Sequence, residues 1–62
     1  MENDRRFFEI MARVDEWAVT SSMYDCRDAA EDRVAYLLDD PIGNTSDDEI
    51  FNCACNAWMD AE

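Results

Sequence analysis

Asp39-Asp40-Pro41-Ile42-Gly43-Asn44-Thr45-Ser46-Asp47-Asp48-Glu49 holds the only proline and the only glycine of the chain, and five of its sixteen acidic residues. Pro41 cannot continue a helix, and its ring pushes Asp40 out of the helical region. Gly43-Asn44 suits a turn that needs positive φ. Ser46-Asp47-Asp48-Glu49 then matches a reciprocal capping box, with acids in the first turn complementing the helix dipole. One helix stops here and another starts.

Outward from that joint, the C-terminal side reads as a helix over about 47–61. Ile50, Ala54, Ala57 and Ala61 make its close-packing stripe, with Phe51, Cys53 and Trp58 beside it. Asn52, Asn56 and Asp60 fall on the solvent side. The small residues suit close approach of neighbouring helices.

Before the joint, a second helix is expected over about 22–38. Ser22 with Asp25 three positions on is a weak capping box after the helix-interrupting Thr20-Ser21-Ser22. Met23, Cys26, Ala30, Val34, Leu37 and Leu38 form its apolar stripe. Asp25, Asp28, Asp32 and Asp39 line the opposite face, with Tyr36 beside them.

The first helix covers about 4–19, with Asn3 or Asp4 as the cap. Phe7, Ile10, Met11, Val14, Trp17 and Ala18 recur at spacings of three and four. Glu2–Arg6, Arg5–Glu9 and Glu9–Arg13 stand four apart with opposite sign, so the arginines are expected to be paired along their own helix. Phe8, Ala12 and Val19 lie off the main stripe, next to Asp15. They are either the edge of a wide buried arc or a second apolar strip. With no Gly or Pro between them, the first two helices joined as one kinked helix is the alternative.

Residues 1–62 therefore read as one small acidic domain, an all-α antiparallel bundle of three helices. Its core only just offsets the entropy of ordering the chain, so a second copy would help it. No leader or membrane-spanning run is read in the sequence. Cys26, Cys53 and Cys55 are an odd set of thiols, which fits a reducing compartment such as the cytoplasm.

The formal charge of −11 comes from sixteen acids against five arginines, with no lysine or histidine. This balance excludes direct binding to nucleic acid and disfavours anionic membranes. It also leaves little for catalysis. There is no base to activate a thiol and no glycine-rich phosphate loop, so the chain reads as non-enzymatic and without cofactor.

No metal site is expected either. Cys53 and Cys55 diverge on a helix, and no EF-hand spacing surrounds the acids of the joint. A thiol switch would need Cys53 or Cys55 exposed.

What is left is charge. Asp25, Asp28, Asp32 and Asp39 put acids roughly 5–6 Å apart along one helix face at their shorter spacings, a charge density of the same order as a nucleic-acid backbone. Solubility needs a net charge of only about 2–8 in a small domain. The expected partner is thus the basic, nucleic-acid-binding surface of another protein. Asp25, Asp28, Asp32, Asp39, Asp40, Asp47 and Asp48 would carry the charge, with Tyr36 as an aromatic anchor. Phage-encoded blockers of restriction, CRISPR effectors, nucleases or polymerases share this compact acidic composition, and the likeness is one of composition alone. The alternative is a helical homo-oligomer or accessory subunit using Phe8, Val19, Phe51 and Trp58, with its acidity incidental.

Overall fold

The computed structural model describes residues 2–22, 25–40, 43 and 45–61, with Glu2 in backbone only. The expected places of Met23 in the core stripe, of Pro41 and Asn44 in the joint, and of the Glu2–Arg6 pair lie outside what is described. Three helices form: α1 (Glu2–Thr20), α2 (Arg27–Leu38) and α3 (Asp47–Ala61).

Contacts between helix ends set the topology. The Asn3 side-chain amide donates to the Leu38 carbonyl at 3.3 Å, so α1 begins where α2 ends. Arg6 meets Asp47 at 2.7 Å, and Trp17 meets Trp58 edge-on at 6.0 Å between ring centroids. Both ends of α1 thus lie beside the matching ends of α3. Consecutive helices are antiparallel, and α1 and α3 run parallel to each other.

The all-α bundle is as expected, but the joints differ. α1 already begins at Glu2, which places Asn3 and Asp4 inside it rather than at its cap. Asn3 instead satisfies a carbonyl that the end of α2 leaves without an intrahelical donor. At the other end, Thr20 Oγ1 donates back to the Glu16 and Trp17 carbonyls at 3.0 Å. Ser22 has φ of 54°, a left-handed conformation, and its N–H reaches the Val19 carbonyl. Ser22 therefore closes α1 instead of opening α2, and the single kinked helix is replaced by a true break.

α2 starts only at Arg27, after Cys26 in the cap position with no side-chain cap. An ion pair holds that start. Arg27 binds both carboxylate oxygens of Asp15 on α1, at 2.9 and 3.2 Å, and also Glu31 one turn along. The hydrogen bonds that Arg27 donates to Asp15 hold its pKa above its ordinary value. At the second joint, Gly43 has φ of 67° as the turn requires. Ser46 Oγ then accepts the Glu49 N–H at 3.2 Å, which is the serine half of the expected capping box.

The core draws on all three helices: Ile10, Met11, Val14 and Ala18; Ala30, Val34 and Leu38; Ile50, Ala54, Cys55 and Trp58. Among the described residues no polar side chain is buried. α2 and α3 make the most extensive contact, with Ala30 and Ala54 fully buried, as small residues at a close helix approach should be.

α3 is nevertheless rotated from the expected alanine stripe. Ala61 and Cys53 are exposed and Ala57 half-buried, whereas Cys55 and Trp58 are inside. An indole buries far more apolar surface than a methyl group, so the Trp58–Trp17 contact sets the rotation of this helix.

Trp58→Ala removes a side chain whose deletion from a core costs about 3–5 kcal/mol. A domain of this size has roughly 3–9 kcal/mol in all. We expect this variant to lose its cooperative thermal transition by far-ultraviolet circular dichroism. Phe8→Ala, at a site 71% exposed, should melt within a few degrees of the parent.

Candidate protein-binding face

The arginines explain where the acidic face lies. Arg6 and Arg13 stand two helical turns apart on one side of α1 and reach the first turn of α3. Arg6 binds Asp47 at 2.7 Å and the Thr45 carbonyl at 3.3 Å, and Arg13 binds Asp48 at 3.0 Å. Arg13 also lies 4.4 Å from the centroid of the Phe51 ring. Of the pairs expected along α1, Arg5–Glu9 forms at 3.3 Å. Glu9–Arg13 gives way to the contact with α3, where Asp48 supplies a carboxylate and Phe51 a ring face for the same guanidinium.

With Arg27 held by Asp15 and Glu31, four of the five arginines are in ion pairs. Arg33 has no ion pair among the described residues.

These pairs divide the acids expected at the partner surface. Asp47 and Asp48 are occupied internally. Asp40 is half-buried in the turn, where its carbonyl accepts the Gly43 N–H at 3.1 Å. Asp25 precedes α2 and lines a groove with Asp15, Val19 and Arg27. It therefore does not continue the row along the helix.

Asp28, Asp32 and Asp39 remain together on the outer face of α2, all exposed, beside Tyr36 at 73% exposure. They cover about 16 Å along the axis at the usual helical rise. Their position follows from Ala30, Val34 and Leu38, which turn the opposite face of α2 into the core.

Packing adds two acids that reading along one helix misses. Asp4 of α1 lines a groove with Asp32, Tyr36 and Asp39. Asp60 of α3 lines another with Asp32 and Tyr36. In the sequence Asp4 reads as a candidate cap and Asp60 as a solvent-facing acid, and only the antiparallel placement of α2 brings them beside its acidic row.

The apolar residues weighed as an interface also separate. Phe8 and Val19 are 71% and 79% exposed on the outer side of α1. Phe51 is half-buried beneath Arg13, and Trp58, at 4% exposure, belongs to the core.

The thiols occupy three environments. All are free: Cys53 exposed, Cys26 half-buried and Cys55 buried. Burial raises the Cys55 pKa, and nearby Arg13 offsets this only in part. Among the described residues, no cluster of three or more His, Cys, Asp or Glu side chains could hold a metal ion. No described helix is long and apolar enough to cross a membrane.

No family model, curated protein or solved structure matches the chain.

Thiol titration with an aromatic disulfide at pH 8 should label Cys53 rapidly and Cys55 only after denaturant is added. The folded state holds the Cys55 proton more tightly than the unfolded chain does. Its contribution to stability is therefore present below the ordinary thiol range and lost as pH rises through the raised pKa. Equal rates for Cys53 and Cys55 in the native protein would contradict their placement.

Proposed function

We propose that the protein is a non-enzymatic inhibitor that covers a basic, nucleic-acid-binding surface of another protein, using the outer face of α2. The observation that carries this reading is how the charge is shared out. Four arginines are held in internal ion pairs, while Asp28, Asp32 and Asp39, joined by Asp4 and Asp60, stay exposed around Tyr36. Like charges at this density repel one another and cost stability. A surface of lysines and arginines removes that cost on binding, as it does when it neutralises phosphates. Tyr36 supplies apolar area at the centre of the charge, where interface anchors concentrate.

On this reading the partner is of the kind blocked by phage inhibitors of restriction, CRISPR effectors, nucleases or polymerases, and the protein works in a reducing compartment such as the cytoplasm. Neither nucleic acid nor membrane is bound directly.

One observation favours a second reading, a homodimer or accessory subunit held by apolar surface. Phe8 and Val19 project from the outer side of α1 with Ala12 exposed between them. Self-association there leaves the α2 face open and would double the acidic surface.

Captured basic nucleic-acid-binding proteins should bind with affinity that falls steeply as salt is raised. Asp28→Lys with Asp32→Lys should weaken binding at least about tenfold, equivalent to roughly 1.4 kcal/mol. Unchanged affinity in either experiment removes the charge-based reading. If instead sedimentation finds a dimer that Phe8→Ala abolishes, and the aspartate variants behave like the parent, the apolar reading takes its place.

A further inference from the structure

Tyr36 and Asp32 stand on a ridge of α2 with a groove on either side. One groove runs against the first turns of α1, the other against the last turns of α3. The two differ in charge and in floor. The α1–α2 groove presents Asp4, Asp32 and Asp39, with no cation among the described residues that line it, over the apolar surface of Phe7 and Ala35. The α2–α3 groove sets Asp32 and Asp60 against Arg33 over a floor of alanines. A cation is therefore drawn to the first groove much more strongly than to the second.

The bundle already contains a seat of this chemistry, filled by one of its own residues. The Arg13 guanidinium lies 4.4 Å from the Phe51 ring centroid while its Nη1 binds Asp48 at 3.0 Å. Ring and carboxylate together hold a planar cation, one by its face and the other by its edge. Tyr36 with Asp32 and Asp39 offers the same combination facing outward. The Tyr36 ring makes no aromatic or cation contact among the described residues.

We infer that the α1–α2 groove seats an arginine side chain of the basic partner, with its guanidinium against Tyr36 and within reach of Asp4, Asp32 and Asp39. This deepens the proposed function and rests on that reading for the source of the arginine. Arginine is favoured over lysine because its planar guanidinium is more weakly hydrated, stacks on a ring and forks to carboxylates, whereas an ammonium is a compact and strongly hydrated charge.

Isotope-labelled protein is titrated with a short Arg-Gly-Gly repeat peptide and with its Lys-Gly-Gly counterpart of equal charge, following backbone amide shifts. The arginine peptide should bind about three- to tenfold more tightly. Its shifts should centre on Asp4, Phe7, Asp32, Tyr36 and Asp39. Tyr36→Ala, at a site too exposed to disturb the fold, should erase the preference for arginine, while Tyr36→Phe should keep it. Equal affinity for the two peptides overturns the inference, as does a preference that survives Tyr36→Ala or a set of shifts centred on Arg33 and Asp60.

The peptides probe the groove without the natural partner, so the two failures can be told apart. A groove that prefers arginine on a protein that binds no basic partner leaves the seat and sinks the inhibitor reading. Salt-sensitive binding of a basic partner with no such preference does the reverse.

Discussion

Arg6 and Arg13 reach from one face of α1 to the first turn of α3, and the arrangement of the bundle depends on that reach. Among the described residues, a core of eleven buried side chains, several of them alanine, gives three short helices little to fix which way each one runs. The two arginines supply direction. They hold the start of α3 beside the start of α1, in line with the Trp17–Trp58 contact at the other end. Each pair is partly exposed and contributes roughly 0.2–1 kcal/mol, so hydrophobic burial remains the main source of stability. What the pairs add is discrimination, since a reversed α3 would carry its acidic first turn away from Arg6 and Arg13.

This arrangement also determines where negative charge is left over. Asp47 and Asp48 serve the α3 N-terminus twice, once toward the helix dipole and once toward α1. Arg27 does similar work at the start of α2, where Asp15 and Glu31 hold it in place of a side-chain cap. With those carboxylates engaged, the exposed acids of α2 stand out as a group. The structural ion pairs and the acidic face come from one distribution of charge: Arg6, Arg13 and Arg27 turned toward neighbouring helices, and Asp28, Asp32 and Asp39 left outside.

Much of this could be read along the chain. Pro41, Gly43 and the Ser46–Glu49 segment announced a helix stop and restart. The spacing of Ile10, Met11, Val14 and Ala18 identified the inner face of α1. Asp28, Asp32 and Asp39 with Tyr36 were visible as a polar row, because a helix converts sequence spacing directly into a shared face. The start of α2 was less legible. Ser22 has cap chemistry, but the chain must turn back between two antiparallel helices, and a left-handed Ser22 closes α1 in the same few residues. Arg27 then opens α2 through Asp15, twelve positions earlier, which no local motif can signal.

Helix existence and the inner and outer faces of α1 and α2 were determined by the sequence alone, since each follows from neighbours within one or two turns, and the large excess of acid is composition itself. Tertiary structure decided which carboxylates stay available, which groove beside Tyr36 has no cation among its described lining residues, and that Trp58 rather than Ala61 faces inward. Those outcomes rest on contacts between residues far apart in the chain, such as Arg6 with Asp47 and Trp17 with Trp58. Long side chains choose among several neighbours only once the helices have packed.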